Sequence, residues 1–231
     1  MKRHLHLLAL AFLLLLASCS KEKEPAAPVD EKALTEDQRY FLKVALGSEM
    51  GNNAAFIRKW SQDMKVFVPD SSHAELLVEL RKVISEINAL SQSIRVKRVM
   101  TMAEANYVIF LSDKDTYAQH EPNAAAYLND NRGLFWVYWS AGYELNRGSM
   151  YVDVVRNTDL NCMKHLLREE LTQSLGLMVD TDDYAESIFY QRWTCTPSYT
   201  DIDRKLIRYI LNPKIRSGMD RAEVTKVLQT L

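Results

Sequence analysis

Apolar residues recur along this chain at two different spacings, and the change between them predicts alternating helices and strands. In residues 76–90 the apolar positions fall three and four residues apart, which is the spacing of one helix face. The residues Ser72-His73-Ala74-Glu75 in front of them have the pattern of a capping box. By the same signs we predict helices over residues 35–46, 72–90, 159–178 and 200–211, and a last helix capped at Asp220.

Shorter apolar or alternating segments predict strands. They cover residues 64–68, 94–99, 107–111, 134–139 and 149–155, and a turn at Asn146-Arg147-Gly148 is expected before the last one. The resulting order is helix, strand, helix, several strands and then three helices. This order predicts an α+β fold, with one mixed, twisted sheet packed against helices and a C-terminal helical part.

The N-terminus has the features of an export signal. Met1-Lys2-Arg3 is basic, residues 7–16 are apolar, and Ala17-Ser18 stand before Cys19. The apolar run is shorter than the ~20 residues that span a bilayer. We therefore predict a signal peptide over residues 1–18, and residues 16–19 resemble the bacterial lipobox, whose cysteine is acylated. The alternative is an ordinary cleaved signal with a cysteine there by chance.

Residues 19–33 are predicted to be a flexible tether, because charged residues, proline and alanine dominate them and offer no core. A single domain is expected over residues 34–231. Ser20, directly after Cys19, resembles lipoproteins sent to the outer membrane. The predicted location is the cell envelope, with a lipid at Cys19 holding the protein on the periplasmic or surface face of the outer membrane.

Composition narrows the functional classes. The chain has 29 Lys and Arg against 30 Asp and Glu, so it lacks the basic excess of a nucleic-acid-binding protein. Apolar residues make up 47% of it, enough for one sizeable core. Besides Cys19 it contains only Cys162 and Cys195, and such a pair in an exported protein predicts a disulfide. Two buried free thiols are the alternative.

The segment with the most chemistry lies in the predicted helix over residues 159–178. On a helical wheel its leucines and methionines form one apolar arc, and Glu170 falls inside this arc. Glu169 and Gln173, four residues apart, lie at the edge of the arc, with His165 one turn before Glu169. A glutamate on an apolar face needs a partner. Glu170 is either a buried structural residue or a residue that lines a cleft.

This segment resembles the active helix of metzincin-type zinc peptidases, H-E-x-x-H-x-L-G-L-x-H. Alignment on Leu175-Gly176-Leu177 places Glu170 on the general base of those enzymes. The three ligand positions then hold Glu169, Gln173 and Val179, whereas a zinc site of this kind needs three good ligands. The resemblance implies a zincin-like fold with a degenerate site, and we expect no metal and no cofactor.

The chain resembles still more closely an uncharacterised bacterial family, secreted or lipid-anchored, that is known only as a domain of unknown function. The shared pattern is R-E-E-x-x-Q-x-L-G, a short acidic loop, S-[IV]-F, T-x-x-D and S-G-M. In this chain it occupies residues 168–176, 180–183, 187–189, 200–203 and 217–219. Because E-E-x-x-Q belongs to the family pattern, the loss of the zinc ligands is not peculiar to this chain.

Three smaller features have both a functional and a structural interpretation. Four acidic residues follow the helix, and their oxygens suit Ca²⁺, but a solvated acidic loop explains them equally simply. They are Asp180, Asp182, Asp183 and Glu186. The aromatic strand over residues 135–139 presents rings on both faces, of which one suits the core and the other suits either packing or a partner. His165 and Glu169, four residues apart, could hold a metal ion, but we expect an exposed histidine in a salt bridge instead.

Together these observations predict a lipid-anchored envelope protein whose degenerate zincin-like domain binds a peptide, a protein or an envelope component without catalysis. One alternative is a hydrolase that uses Glu169 and Glu170 as acid and base, with Gln173 orienting the substrate. Adjacent helix positions point about 100° apart, which disfavours it. The other alternative is a structural or assembly lipoprotein without a cleft. A groove beside Glu170 would favour binding or catalysis over the structural role.

Overall fold

The computed structural model describes residues 31–47 and 56–231. The predicted signal peptide, Cys19 and most of the predicted tether lie outside these residues. At the end of the predicted tether, Glu31–Ala33 form a short 3₁₀ helix, and Glu31 pairs with Arg221 at 3.1 Å. In the described part of the chain, no helix is both long enough and apolar enough to cross a membrane.

The elements alternate much as the spacing of apolar residues predicts. The helices are α1 Glu36–Ala45, α2 Ala74–Leu90, α3 Lys114–His120, α4 Leu160–Gln173, α5 Asp201–Ile210 and α6 Arg221–Leu228. The strands are β1 Lys59–Trp60, β2 Met64–Phe67, β3 Val96–Arg98, β4 Tyr107–Ser112, β5 Gly133–Trp139 and β6 Glu144–Asp153. Two further 3₁₀ helices, Met102–Glu104 and Pro122–Tyr127, lie in the connections.

One six-stranded sheet organises the molecule. Its order is β1-β6-β4-β2-β3, and all of these neighbours run parallel. Strand β5 is the exception, because it pairs antiparallel with β6, with Gly133 opposite Val152. The predicted α+β class with a mixed sheet is therefore confirmed, and the sheet is mostly parallel.

Helices cover the two faces of the sheet unequally. On one face α2 and α4 pack against the strands, and α1, α5 and α6 pack behind them. The main core lies here and includes Met150 and Val152 of β6 with Leu167 and Leu171 of α4. On the other face α3 and the 3₁₀ helix after it cover a smaller cluster around Tyr117 and Tyr151. Helix α4 is thus fixed against β5, β6 and α2.

The predicted turn at Asn146-Arg147-Gly148 is wrong. Strand β6 already begins at Glu144, and the chain reverses at residues 140–143, where the Tyr143 N–H donates to the Ser140 carbonyl at 2.9 Å. Gly148 serves close packing instead, since a Cβ there would lie 2.7 Å from the Trp136 carbonyl oxygen. A glycine needed for close approach has the same local signature as a turn glycine.

Two helix ends also differ from the prediction. The N-cap of α2 is His73, because the Ser72 hydroxyl bonds to Asp70 at 2.9 Å and does not cap the helix. Helix α4 ends at Gln173 and not at Met178. Its last turn tightens, with Leu175 N–H donating to the Thr172 carbonyl at 3.1 Å, three residues back. Strand β1 and helix α3 were not predicted.

Candidate functional site

Helix α4 positions the polar residues that the sequence singles out. Its N-cap is Asp159, whose carboxylate accepts the N–H of Asn161 at 2.7 Å. Leu167 and Leu171 are fully buried beneath it, which fixes the orientation of the helix. Glu170 is buried as its place on the apolar arc predicts, with 7% of its surface exposed.

A disulfide fastens a second segment to this helix. Cys162, in the first turn of α4, is bonded to Cys195, as the cysteine count predicts, and their Cα atoms lie 4.3 Å apart. We call residues 190–196 the rim loop. The disulfide therefore holds the rim loop against the N-terminal half of α4.

A groove of about 510 Å³ opens beside α4, and three walls form it. The first wall is residues 130–135, at the start of strand β5. The second is one side of α4, and the third is Asp180 with residues 190–194 of the rim loop. Helix α4 contributes His165, Leu166, Glu169, Glu170 and Gln173. The three candidate residues Glu169, Glu170 and Gln173 thus lie in one groove.

Glu170 lies against strand β5 at the point where that strand has no side chain. A Cβ added at Gly133 would lie 2.8 Å from Glu170 Oε1 and 2.9 Å from a Leu166 methyl carbon. The buried Glu170 side chain thus occupies the space beside Gly133. Glu170 both is buried and lines the groove, so the two interpretations of the sequence hold together.

His165 links Glu169 to the rim loop. Its Nε2 lies 3.2 Å from Glu169 Oε2 and 3.3 Å from Thr194 Oγ1, and its Nδ1 lies 2.8 Å from the Thr196 carbonyl oxygen. The predicted pair with Glu169 is present, but the expectation of an exposed histidine is wrong, because His165 is only 4% exposed. Burial alone would lower its pKa. The hydrogen bond and charge of Glu169, with smaller contributions from the Thr196 carbonyl and the charge of Asp203, together outweigh burial and raise the pKa of His165 above its usual value.

The other two positions of the zinc-ligand register have structural contacts. The side-chain amide of Gln173 donates to Asp180 Oδ1 at 2.6 Å, and Gln173 is 4% exposed. Val179 packs against Gly47, where an added Cβ would lie 2.8 Å from Val179 Cγ2. Gln173 therefore ties α4 to the acidic loop that follows it.

The acidic residues of that loop contact different hydrogen-bond and ion-pair partners. Asp180 accepts from Gln173, Asp183 pairs with Lys43 at 2.6 Å, and Asp182 lies 3.5 Å from Arg192. Within residues 31–47 and 56–231, no group of three or more His, Cys, Asp or Glu side chains is arranged to hold a metal ion.

The aromatic strand β5 is covered on both faces. Phe135 and Val137 pack toward the main core. On the other face Trp136 packs against the smaller cluster, and the Tyr138 hydroxyl donates to Glu121 at 2.7 Å. Trp139, at the end of the strand, is 42% exposed beneath the Arg58 guanidinium. The part of β5 that borders the groove is its first three residues, 133–135.

Sequence reasoning missed Arg168, the first residue of the R-E-E motif. Arg168 is fully buried and bonds through its guanidinium to Glu79 at 2.5 Å and to Glu86, both on α2, while its guanidinium stacks 4.3 Å from the centre of the Tyr199 ring. A signal was present: Arg168 lies three residues before Leu171, a spacing that places both on one side of the helix. This cluster joins α4 to α2 behind the groove.

Sequence reasoning also missed the outer parts of the groove. Arg132 and the rim-loop residue Trp193 approach each other across its mouth, with the guanidinium carbon 5.8 Å from the ring centre. Trp193 is 57% exposed. These residues lie in connections without periodicity, and the glycine before the aromatic strand was the only local signal nearby.

A family model described as "Protein of unknown function (DUF2927)" matches residues 35–230 of the chain. No curated protein matches the chain.

Proposed function

The chain belongs to the DUF2927 family, and we propose that its domain binds an extended polypeptide segment in the groove between β5 and α4 without hydrolysing it. The observation that carries this proposal is the groove itself. One of its walls is a strand with an unpaired backbone edge, and the opposite wall presents buried polar side chains. An extended peptide adds to such an edge through main-chain hydrogen bonds and gains specificity from its side chains.

The direction of the peptide groups in β5 supports this mode of binding. Asp153 N–H donates to the Arg132 carbonyl at 2.8 Å, one position before the pair Gly133 and Val152. In an antiparallel pair the hydrogen-bonded positions alternate, so Gly133 and Phe135 direct their N–H and C=O groups away from β6. In the described residues β5 pairs with no other strand. These peptide groups border the groove and form the edge to which we propose that a strand adds.

The contacts along α4 favour binding over zinc-dependent hydrolysis. Two positions of the zinc-ligand register, Glu169 and Gln173, are engaged with His165 and Asp180, and the third is Val179. A groove between an antiparallel edge strand and this helix is what the zincin resemblance implies for substrate binding. We propose that the domain is zincin-like in this respect and keeps the groove without the metal chemistry.

We further propose that the mature chain begins at an acylated Cys19 and is held in the cell envelope, on the periplasmic or surface face of the outer membrane. The basic start, the short apolar run and the residues before Cys19 support this. Several acyl chains on one residue give lasting attachment, at about 0.8 kcal/mol for each buried CH₂. The binding partner is then a peptide, a protein or another component of the envelope, and not a nucleic acid.

Strand addition is tested by removing one outward N–H from β5. Peptides are first selected from a random library for binding to the purified full-length chain. Their affinities are then measured for Phe135→Pro and, as the matched control, for Phe135→Ala. Both variants lose the ring, but only the proline also loses the N–H donor. Because that N–H points away from β6, the sheet keeps its own hydrogen bonds. We expect binding at least tenfold weaker for the proline variant than for the alanine variant, and equal affinities would refute strand addition.

A hydrolase that uses Glu169 and Glu170 is the second candidate, because both carboxylates line the same groove. Against it, Glu169 is paired with His165, and adjacent helix positions diverge by about 100°. Incubation of the selected peptides with the protein, followed by mass spectrometry, separates the two. Cleavage that is lost in Glu170→Gln would establish the hydrolase. The groove also disfavours a purely structural lipoprotein.

A further inference from the structure

The two ring nitrogens of His165 face different kinds of group. The Thr196 carbonyl opposite Nδ1 only accepts hydrogen bonds, so Nδ1 carries a proton in every state that keeps this 2.8 Å contact. Nε2 faces two groups at nearly equal distance, Glu169 Oε2 at 3.2 Å and Thr194 Oγ1 at 3.3 Å. Glu169 can only accept when it is ionised, whereas a threonine hydroxyl both donates and accepts.

This arrangement gives Nε2 one suitable partner in each protonation state. With a proton on Nε2 the ring is an imidazolium that donates to Glu169. Without it, the Thr194 hydroxyl rotates and donates to the ring nitrogen. A surface histidine has water for both states, but His165 is 4% exposed, so its protein partners decide which state is populated.

We propose that His165 is a two-state switch in the wall of the groove. Protonated, it forms an ion pair with Glu169 on α4; neutral, it accepts a hydrogen bond from Thr194 on the rim loop. In the neutral state the ion pair is lost, and the net charge of the groove is more negative by one because the imidazolium charge is gone. The Thr196 contact and the disulfide hold the rim loop in both states, so the switch changes charge and hydrogen bonding and leaves the wall in place.

The charged surroundings of His165 set the balance of the switch. Glu169 acts from its own helix and Asp203 from α5, and both favour the imidazolium. The rim loop contacts the ring through Thr194 and the Thr196 carbonyl, and its Arg192 adds a positive charge to the groove, which Glu170 and Asp180 also line. Across the groove, Asp130 and Arg132 offer one charge of each sign.

The consequence for ligands rests on the proposed function. A peptide with a positively charged side chain near Glu169 should bind more tightly above the transition of His165 than below it, because the groove wall then lacks the repelling positive charge of the imidazolium. The switch itself is measured without any ligand, so its failure and the failure of the binding proposal are distinguishable.

The test is an NMR titration of the mature, acylated chain in detergent micelles, labelled with ¹⁵N-histidine, between pH 5 and 9. We expect both nitrogens of His165 to be protonated at the acid end and only Nδ1 at the alkaline end, with the transition above pH ~6.5, the ordinary value for histidine. The signal is assigned by its absence in His165→Gln. Should that variant not fold, His73→Gln and His120→Gln identify the other histidines of the domain.

Two variants must move the transition in opposite directions. Thr194→Val removes the donor to the neutral ring and should raise the pKa, whereas Glu169→Gln removes the charge that favours the imidazolium and should lower it. Each shift is expected to be about one pH unit, which is a tenfold change in the protonation equilibrium. An Nε2-protonated neutral ring, or a transition that either variant leaves in place, would overturn the proposal. A purely structural histidine would show no such opposed shifts.

Discussion

Arg168 offers the most direct test of how the site is held in place. Its guanidinium is fully buried between two carboxylates of α2, Glu79 and Glu86, and stacks on Tyr199. Replacement by Met keeps most of the volume and removes the charge. Glu79, only 6% exposed, then remains buried beside a thioether without its cation. Breaking a buried pair from one side costs about 3–5 kcal/mol, because a charge stays buried without compensation.

This loss is large against the roughly 5–15 kcal/mol that separate folded from unfolded domains. We therefore expect Arg168→Met to lower the free energy of unfolding, measured by urea titration at pH 7, by about 3–5 kcal/mol. The matched control is Lys97→Ala. Lys97 pairs with Asp63 at 2.8 Å, but its side chain is 52% exposed, and such a surface pair contributes about 0–1 kcal/mol.

A third variant separates charge burial from packing. Arg168→Met combined with Glu79→Gln and Glu86→Gln leaves no carboxylate buried at this place, so part of the lost stability should return. A loss of less than 1 kcal/mol for Arg168→Met, or no recovery in the triple variant, would refute the view that this cluster joins α4 to α2.

Four further predictions concern the anchor, the disulfide, Glu170 and His165. Cys19→Ser should release the protein from the membrane fraction or block its processing; unchanged fractionation and maturation would exclude the lipid anchor. Removing the disulfide by Cys162→Ser with Cys195→Ser should lower the free energy of unfolding by about 3–4 kcal/mol in the chain-entropy model, because it closes a loop with a sequence separation of 33 residues. Glu170→Ala should lower the free energy of unfolding by about 1–3 kcal/mol, and the purified protein should carry no stoichiometric zinc. One zinc per chain, with peptidase activity that Glu170→Ala abolishes at an unchanged melting temperature, would instead support a metallopeptidase. The raised pKa of His165 gives stability that is complete below pH ~6.5 and is lost as the pH rises through the folded-state pKa, so urea midpoints should fall across this window in the parent and not in His165→Gln.

The sequence by itself determined the features that depend on neighbouring residues. The caps predicted at Thr35, Thr200 and Asp220 are formed, whereas the capping box predicted at Ser72 is not. The burial of Glu170 followed from the helical wheel alone. Helix periodicity and caps are local, since the residues that make them lie within four positions of one another.

Only the tertiary structure decided which distant segments meet. From the sequence alone Gly148 resembles a turn residue, but in the fold it lies beside the Trp136 carbonyl. Arg168 likewise resembles a surface residue, but in the fold it pairs with two carboxylates of α2. The groove is a further example, because its walls come from β5, α4 and a rim loop without periodicity. Side chains brought together across many residues leave no regular spacing in the sequence. The candidate helix could therefore be found from the pattern of residues, but the groove beside it depended on how the sheet and the disulfide place the other two walls.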